Sequence, residues 1–447
     1  MSGSRLFGTD GVRGIANVDL TPGFALQIAT ATIGVLRSRG TPERPTVVVG
    51  RDTRASGEML EAAVVAGLTS AGADVLLTGV LPTPGVAYLV DSLGADLGVV
   101  LSASHNPMPD NGIKFFGPGG RKLADETEAE IERRLYEEWD RPFGADVGRV
   151  STLPDAASRY VEHLLGLSVE PLTGLRVVVD AAHGSASYLA PDVYRKAGAE
   201  VIAIGCEPTG LNINDGVGST HLEPLRRAVL EHHADLGIAH DGDADRCLAV
   251  AADGTIVDGD AILAICALGM HARGELAHDT VVTTVMTNLG FTRAMAEAGI
   301  SVVQTAVGDR YVLEAMNEHS LVLGGEQSGH VVFKRHATTG DGMLTALQLM
   351  GWITRTGTPL AKLAAVVQRM PQVLVNVQVR DRRIASYPEV AAAVRAAEAR
   401  LGSSGRVLLR PSGTEPLVRV MVEASTQADA DECAQIVADA VRQAAGS

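Results

Sequence analysis

Residues 46–78 have the sequence TVVVGRDTRASGEMLEAAVVAGLTSAGADVLLT, which predicts a strand, a helix and a second strand. The β-branched run at 46–50 is typical of a strand that is buried on both faces. Ser56 is a suitable N-cap, and the apolar residues behind it keep the spacing of one helix face: Leu60, Val64, Gly67 and Leu68. Because an apolar strand follows at 74–78, we expect a right-handed crossover and a parallel pair of strands.

The same alternation continues along the chain and predicts a series of α/β lobes. Further strands are expected at residues 97–101, 175–180, 200–204, 235–239, 280–286, 300–305 and 321–323. Further helices are expected at residues 86–93, 125–139, 188–197, 222–233, 261–270, 292–298, 310–318 and 342–354.

The last part of the chain has a different pattern, which predicts a small α+β lobe. Its expected strands and helices are strands 372–379, 406–410 and 417–423 and helices 387–401 and 428–444. The predicted fold class is therefore three similar α/β domains with mixed or parallel sheets, followed by a C-terminal α+β domain. The expected domain boundaries are 1–153, 154–258, 259–370 and 371–447.

Charge and hydropathy exclude several classes of protein. The 447 residues carry a formal net charge of −15, which argues against a nucleic-acid-binding protein and against attraction to an anionic membrane. The longest apolar run, residues 261–270, is too short to span a bilayer. The N-terminus has no apolar signal-peptide core, and the four cysteines form no CxxC pair. We therefore expect a cytoplasmic protein with buried or idle thiols.

Polar loops follow predicted strands, where open α/β sheets bind their ligands. The serine loop, residues 102–107, has the sequence SASHNP. Ser104 is expected to be exposed in this turn, and His105 is placed to organise hydrogen bonds. An ordinary strand-to-helix turn explains the same composition equally well, since Ser, Asn and Pro are turn residues.

The metal loop, residues 241–246, has the sequence DGDADR and predicts a Mg²⁺ site. Asp241, Asp243 and Asp245 alternate, so their carboxylates point to one side of an extended loop, which is unfavourable unless a cation lies between them. Oxygen ligands without His or Cys suit Mg²⁺, and Arg246 suits a phosphate beside it. A solvated acidic turn is the weaker alternative, and the spacing does not fit an EF-hand.

Two further loops have residues that suit a sugar and a phosphate. The sugar loop, residues 324–330 (GGEQSGH), offers Glu326, Ser328 and His330 to hydroxyl groups, although a plain glycine-rich turn is about equally consistent. The phosphate loop, residues 410–416 (RPSGTEP), combines Gly and hydroxyl residues with arginine forks and predicts an anion nest, with a polar hairpin loop as the alternative. The residues proposed there are Arg410, Ser412, Gly413, Thr414 and Arg419.

Three smaller segments contain cations that could bind an anion. Arg13 lies in TDGVRG at 9–14, Lys114 follows the serine loop, and Asp309 and Arg310 open a helix whose N-terminus favours an anion. Taken singly, each is explained as a surface residue. The chain has no Walker A loop, no complete GxGxxG and no GxSxG, so P-loop kinase, dinucleotide oxidoreductase and α/β-hydrolase interpretations lose their support.

Together the loops resemble the α-D-phosphohexomutases, from LFGTDGVRG at Leu6 to RPSGTEP at Arg410, over the whole length of the chain. The resemblance implies four domains around a central cleft, each contributing one loop. It implies a phosphoserine enzyme that interconverts glucosamine 6-phosphate and glucosamine 1-phosphate through a 1,6-bisphosphate, on the route to UDP-N-acetylglucosamine and the cell wall. It further implies glucosamine 1,6-bisphosphate or glucose 1,6-bisphosphate as primer, an activating kinase or autophosphorylation, and a homodimer.

The resemblance also implies roles for individual residues. Ser104 would carry the phosphoryl group and, with the three aspartates of the metal loop, bind one Mg²⁺ per chain. Glu326 and Ser328 would hold sugar hydroxyls, and the phosphate loop would hold the non-reacting phosphate. Arg13, Arg246 and Lys114 would supply positive charge to the transferring phosphate. The group that transfers the proton is left open among His105, Lys114 and His330.

Substrate choice leaves alternatives. The metal loop has Ala244 where the family usually has Gly, which affects only loop flexibility, and GEQSGH favours glucosamine phosphate. Phosphomannomutase/phosphoglucomutase activity is the first alternative. A Mg²⁺-dependent sugar phosphatase with Asp241 as nucleophile and a non-catalytic sugar-phosphate-binding protein are weaker alternatives, because they leave the serine or the metal loop without a purpose.

Overall fold

The computed structural model describes residues 6–8, 10–167, 170–411 and 416–446. These residues form two compact units. The first contains the chain up to Met286 together with Gly299–Val366, and the second contains Thr287–Ala298 together with the chain from Val367.

Within the described residues, strands and helices alternate along most of the chain. The strands are β1 (Val12–Ile15), β2 (Thr46–Arg51), β3 (Asp74–Val80), β4 (Leu97–Leu101), β5 (Asp110–Gly117), β6 (Arg121–Lys122), β7 (Val150–Thr152), β8 (Arg176–Asp180), β9 (Glu200–Ile204), β10 (Leu236–Ala239), β11 (Leu248–Ala251), β12 (Ile256–Val257), β13 (Thr280–Thr284), β14 (Ser301–Thr305), β15 (Leu323–Gly325), β16 (Val331–Phe333), β17 (Gln372–Gln378), β18 (Arg406–Pro411) and β19 (Leu417–Glu423). The α-helices are α1 (Pro22–Ser38), α2 (Ser56–Ser70), α3 (Thr83–Ser92), α4 (Asp125–Arg133), α5 (Ala156–Gly166), α6 (Leu189–Lys196), α7 (Glu223–Glu231), α8 (Gly259–Ala272), α9 (Leu289–Glu297), α10 (Asp309–Glu318), α11 (Gly342–Thr356), α12 (Leu360–Ala364), α13 (Pro388–Leu401) and α14 (Gln427–Gly446).

The described strands form four sheets, and the predicted fold class is confirmed. In the first unit the sheets have the orders β1-β5-β4-β2-β3-β7 with β6 beside β5, β12-β11-β10-β8-β9, and β14-β13-β15-β16. Each of these combines parallel and antiparallel pairs. The second unit has the antiparallel sheet β17-β19-β18.

The strand–helix–strand segment at residues 46–78 folds as predicted, with β2 and β3 parallel. Val47, Val48 and Val49 are fully buried, because helices cover both faces of this sheet. The predicted N-cap is wrong: Ser56 is the first residue inside α2, Ala55 takes the cap position without a side-chain bond, and the Ser56 hydroxyl accepts a hydrogen bond from Asn111 instead.

Several predicted elements begin or end a few residues from the observed ones. The helix expected at 125–139 ends at Arg133, and the chain beyond it places Trp139 against Gly34. The strand expected at 321–323 lies at Leu323–Gly325, because its glycines pair with β16, a strand that the periodicity did not predict. The described residues include no helix long and apolar enough to cross a membrane.

The second unit includes helix α9, which is distant in sequence from the rest of that unit. Asn288 donates to Glu423 Oε1 at 3.0 Å and to the Met370 carbonyl at 3.1 Å, and Arg406 pairs with Glu423 at 2.6 Å. Contacts therefore group residues 287–298 with the C-terminal lobe, whereas the sequence places them inside 259–370. The four domain boundaries stay predictions.

Candidate active site

The serine loop leaves the carboxyl end of β4 and turns at Ser104. Ser104 has φ +52°, a left-handed conformation that costs a non-glycine residue about 1 kcal/mol. Its Oγ donates to Asp241 Oδ2 at 2.6 Å and lies 3.3 Å from His105 Nδ1. The expectation that Ser104 is exposed is wrong: 1% of the residue is accessible, because the metal loop lies on it and Gly242 has no side chain to hold the loops apart.

Arg54 holds the serine loop in this strained shape. Its guanidinium is fully buried and donates to the carbonyls of four loop or loop-flanking residues: Ser104, Asn106, Pro107 and Asp110. Its Nε donates to Asp52 at 2.9 Å. Asn214, in the loop between β9 and α7, donates to the Ser104 carbonyl at 2.9 Å. Sequence reasoning missed these residues, and a charged RDTR run at the end of β2 was the available signal.

The metal loop follows β10 and gathers its three carboxylates. Asp241, Asp243 and Asp245 are buried, and one ligand atom from each lies within 4.8 Å of the others. Asp243 Oδ1 and Asp245 Oδ1 are buried without a hydrogen-bond partner among the described residues. Buried carboxylate oxygens need a cation or a donor, and a set of oxygen ligands alone is the one that Mg²⁺ prefers. The donor set therefore fits Mg²⁺.

The pKa values show how crowded these carboxylates are. Burial and the charge of Asp243 raise the pKa of Asp241 to about 6. Burial and both other aspartates raise the pKa of Asp245 well above its usual range. Burial acts in the same direction on Asp243, but the ammonium of Lys114 holds the pKa of that carboxyl below its usual value. The aspartates are thus a cluster whose negative charge calls for positive charge nearby.

Asp10 connects the predicted cations, a role that sequence reasoning did not assign. Lys114 Nζ lies 2.7 Å from Asp243 and 2.6 Å from Asp10. Arg13 contacts Asp10 at 2.6 Å, and Lys122 contacts it at 2.8 Å. Burial lowers the pKa of Lys114, yet the two carboxylates more than compensate and keep it raised. Lys114 therefore stays charged beside the metal loop.

Arg246 and His105 complete the surroundings of Ser104. Arg246 Nε lies 3.9 Å from both Asp241 and Asp245, too far for a hydrogen bond. That Nε is buried without a hydrogen-bond partner among the described residues, as is Nε of Arg13. Burial, with the positive charges of Arg246 and Arg13, lowers the pKa of His105 to about 4, so this imidazole is neutral at pH 7. Two donors thus remain available for an anion.

The sugar loop is the tip of the β15–β16 hairpin. Glu326 Oε1 accepts a hydrogen bond from the Gly308 amide at 3.1 Å, which links the loop to the start of α10. Ser328 Oγ and His330 Nδ1 are buried without a hydrogen-bond partner in the described part of the chain. His330 also pairs through its backbone with Arg246 of the metal loop. The hairpin therefore brings unsatisfied polar groups beside the metal loop.

Asp309 and Arg310 face different partners. Asp309 contacts Lys122 and lies 3.7 Å from His330 Nε2, so it is connected to the Asp10 cluster. Arg310 instead pairs with Glu128 and Asp125 of α4. The structure brings Asp309 towards the other predicted residues, whereas it directs the charge of Arg310 to an acidic helix.

The phosphate loop belongs to the second unit. Arg410 and Arg419 lie directly opposite each other on β18 and β19. Burial and the charge of Arg419 lower the pKa of Arg410. Like charges opposite each other destabilise a strand pair, so this pair suits an anion. The other predicted residues of the loop lie outside the described residues: Ser412, Gly413 and Thr414.

Comparison with known proteins matches nearly the whole chain to the domains of one protein family. The matches are phosphoglucomutase/phosphomannomutase alpha/beta/alpha domain I at residues 4–141, domain II at 158–254, domain III at 258–370 and the C-terminal domain at 374–440. Phosphoglucosamine mutase of Saccharopolyspora erythraea is 64% identical over 439 residues, which cover 98% of this chain and 99% of that protein.

Solved structures agree on the fold. The phosphoglucomutase/phosphomannomutase family protein of Burkholderia thailandensis has a TM-score of 0.85 at 25% identity, covering 99% of this chain and 98% of that one. The N-acetylphosphoglucosamine mutase of Aspergillus fumigatus, in complex with GlcNAc-6P and magnesium, has a TM-score of 0.69 at 19% identity, covering 98% and 96%. At 19% identity the second likeness concerns the fold alone.

Proposed function

The chain belongs to the phosphoglucomutase/phosphomannomutase family, and we propose that it is an isomerase that interconverts glucosamine 6-phosphate and glucosamine 1-phosphate. The observation that carries the proposal is the 2.6 Å hydrogen bond from Ser104 Oγ to Asp241 Oδ2. It joins a loop that can carry a phosphoryl group to a loop that can hold a cation, and a phosphoserine mutase needs both.

The substrate is argued from relatives and from the sugar loop. Relatives that are 64% and 62% identical over nearly their whole length are phosphoglucosamine mutases. The GEQSGH sequence of this chain resembles the glucosamine type of the loop. Glu326 can accept from an amino or hydroxyl group, and the unsatisfied Ser328 hydroxyl can bind another. The product would feed UDP-N-acetylglucosamine and cell-wall synthesis.

The reaction consists of two phosphoryl transfers through Ser104. In the first, the free hydroxyl of the sugar phosphate attacks the phosphorus of phosphoserine, the bond from phosphorus to Ser104 Oγ breaks, and a 1,6-bisphosphate forms. The proton of the sugar hydroxyl ends on Ser104 Oγ. After the bisphosphate has turned around, Ser104 Oγ attacks the other phosphorus, and the bond from that phosphorus to the sugar oxygen breaks. The proton of Ser104 Oγ returns to this sugar oxygen, which leaves as a hydroxyl group. Atoms and charge therefore balance over the cycle.

Residues of this chain can support each transfer. Arg13 and Arg246 have buried Nε groups that can donate to phosphate oxygens, and Lys114 adds a fixed positive charge. Asp241, Asp243 and Asp245, with the phosphate on Ser104, would hold Mg²⁺. When bound, Mg²⁺ would neutralise negative charge on the transferring group. His105, Lys114 and His330 stay the candidates for proton transfer.

The phosphatase alternative fits the geometry less well. An Asp241 nucleophile would need its carboxylate oxygen directed at the substrate phosphorus, whereas Asp241 Oδ2 accepts a hydrogen bond from Ser104 Oγ. A phosphatase would also give no purpose to a serine that is held in a left-handed conformation by a buried arginine. Phosphomannomutase/phosphoglucomutase activity uses the same machinery, so only substrate comparison separates it from the proposal.

The test uses the full-length chain and its Ser104→Ala variant. Glucosamine 6-phosphate, Mg²⁺ and a catalytic amount of glucose 1,6-bisphosphate are supplied, and the two isomers and inorganic phosphate are measured. We expect mutase turnover in the unaltered chain, little free phosphate, and no turnover in Ser104→Ala. Glucose and mannose phosphates run in parallel. Equal or faster turnover of those sugars would refute the glucosamine assignment.

Intact-mass analysis before and after phosphatase treatment tests the phosphoserine separately. Ser102→Ala is the matched control, because Ser102 is also buried and lies two residues away. We expect the removable phosphate in the unaltered chain and in Ser102→Ala, and none in Ser104→Ala. A phosphate that persists in Ser104→Ala would refute the assignment. A cytoplasmic location, the bisphosphate primer, an activating kinase or autophosphorylation, and a homodimer remain part of the proposal, supported by the resemblance.

A further inference from the structure

His240 lies immediately before the metal loop and has no role in the proposed reaction. It is fully buried at the end of β10. Its Nδ1 lies 2.9 Å from the Arg246 carbonyl oxygen, and its Nε2 lies 2.8 Å from the hydroxyl of Tyr194 on α6. The imidazole therefore connects the residue before the metal loop to the last residue of that loop.

The partners determine which ring nitrogen carries the proton. A backbone carbonyl can only accept, so His240 Nδ1 must donate to Arg246. In the neutral ring, Nε2 then has a lone pair and accepts the hydrogen bond from Tyr194. The Arg246 carbonyl thus selects the tautomer, and Tyr194 donates to the ring nitrogen that carries no proton. If the proton moved to Nε2, Nδ1 would have no hydrogen to donate, and the bond to the Arg246 carbonyl would be lost.

Hydrogen bonds within the metal loop are few, so its shape depends on groups outside it. Ala244 has φ +57°, a left-handed conformation that alanine does not favour. Inside the loop, the Ala244 amide donates to the Asp241 carbonyl at 3.1 Å, and the Arg246 amide donates to Asp241 Oδ1 at 3.2 Å. The His240 bond closes the two ends of the loop from outside the set of ligands, so it leaves the carboxylates free to bind a cation.

The first residue of α11 supplies an independent observation. The Gly342 amide donates to the Ala244 carbonyl at 3.0 Å. A Cβ at Gly342 would lie 2.1 Å from the Arg246 carbonyl oxygen and 2.8 Å from His240 Nδ1. Only glycine leaves room for the histidine-to-carbonyl bond at this place, so the packing is built around that bond.

We propose that His240 and Tyr194 are positioning residues that hold the metal loop in the shape required to bind Mg²⁺. Neither residue touches the substrate. The proposal rests on the proposed function, because it assumes that Asp241, Asp243 and Asp245 bind a divalent cation. Outer partners of metal ligands typically change metal affinity by 10- to 100-fold when they are removed.

The test compares His240→Leu with His240→Asn. Asn and Leu have nearly the same shape, but the Asn amide can donate from the position of Nδ1 and Leu cannot. Binding of Mn²⁺ to the full-length, phosphatase-treated chain is measured by electron paramagnetic resonance without substrate. We expect His240→Leu to weaken Mn²⁺ binding at least about tenfold, and His240→Asn to restore most of that loss.

Tyr194→Phe provides a milder variant should His240→Leu fail to fold. It removes the hydroxyl and keeps the ring, so we expect a smaller loss of Mn²⁺ affinity that follows the same direction. Thr32→Val is the control, because it removes a buried hydrogen bond of 2.7 Å to the Ile28 carbonyl inside α1. We expect Thr32→Val to bind Mn²⁺ as the unaltered chain does.

The outcomes separate the inference from the function beneath it. Unchanged Mn²⁺ binding in folded His240→Leu and Tyr194→Phe, or equal losses in His240→Leu and His240→Asn, would overturn the positioning role. Absence of Mn²⁺ binding in the unaltered chain, or unchanged binding in Asp243→Asn, would instead overturn the metal site. Mutase turnover of the same variants serves as a second readout and is expected to follow Mn²⁺ affinity.

Discussion

Replacing Arg54 with methionine should destabilise the first unit and disable the serine loop. All five N–H groups of the guanidinium donate: one to Asp52 and four to backbone carbonyls of the loop region. Methionine fills a similar space and donates nothing. Asp52 would then be a fully buried carboxylate without its charged partner.

The size of the effect follows from that unpaired charge. Removing one partner of a buried ion pair costs about 3–5 kcal/mol. The Ser104 carbonyl keeps its bond from Asn214, so the orphaned carbonyls add less than the charge does. Arg51→Met is the matched control, because Arg51 lies three residues earlier, at the end of β2. Its pairs with Glu58 and Glu61 are long and partly exposed, so its loss should stay below about 1 kcal/mol.

Urea unfolding followed by tryptophan fluorescence measures this loss. The only two tryptophans of the chain, Trp139 and Trp352, both lie in the first unit. With a slope of about 3 kcal/mol per M, a loss of about 3 kcal/mol lowers the midpoint by about 1 M. Asp52→Asn in the Arg54→Met background should recover part of the loss, because it removes the unpaired charge.

The effect should depend on pH in a defined direction. Burial raises the pKa of Asp52, although Arg54 opposes the shift. A carboxyl whose pKa is higher in the folded state than in the unfolded state loses stability as pH rises towards the folded value. Without Arg54 the pKa rises further, so the deficit of Arg54→Met should be smaller at pH 5 than at pH 8. A midpoint equal to that of Arg51→Met, or a deficit independent of pH, would refute the reasoning.

Three further changes test other parts of the site. Asp10→Asn removes the carboxylate that bridges Arg13, Lys114 and Lys122, so kcat/KM for glucosamine 6-phosphate should fall at least about tenfold. An unchanged kcat/KM would contradict the bridging role of Asp10. Gly342→Ala places a methyl group against the Arg246 carbonyl and should lower the urea midpoint. Gly166→Ala, with open space around the new methyl group, should leave the midpoint unchanged. Equal midpoints in the two variants would contradict the close packing of Gly342 against the metal loop. Arg410→Met removes the repulsion between Arg410 and Arg419, so amide hydrogen exchange in β18 and β19 should be slower in the absence of phosphate. Added phosphate should then give these amides no further protection. Protection by phosphate that persists in Arg410→Met would contradict the anion site.

Local sequence patterns predicted much of the secondary structure and the fold class. Valine-rich strands and helical stripes are short-range signals, so residues 46–78 and most later elements were predictable within a few residues. The errors occur where a distant partner decides: Ser56 bonds Asn111 rather than capping α2, and β16 forms because it can pair with β15. An N-cap or a short strand is stabilised by about 1 kcal/mol, and tertiary contacts override that amount.

The predicted site residues were visible because short loops at the ends of strands gather carboxylates, hydroxyl groups and arginines that suit a cation, a sugar or a phosphate. Ser104 and the metal loop stand out in this way, and the structure brings them together although they are separated by 137 residues. Arg54, Asn214, Asp10 and Lys122 were not selected, since a single polar residue in the sequence looks like any surface residue until its partners are known.

By itself, the sequence determined the alternation of strands and helices, the types of group in each loop and the resemblance to a mutase family. Only the tertiary structure decided that Ser104 is buried against Asp241, that Lys114 joins Asp243 to Asp10, and that His240 closes the metal loop. The physical reason is one of range. Periodicity and turn preference act between neighbours in the chain, whereas burial, paired charge and tautomer choice depend on groups that only folding brings within hydrogen-bond distance.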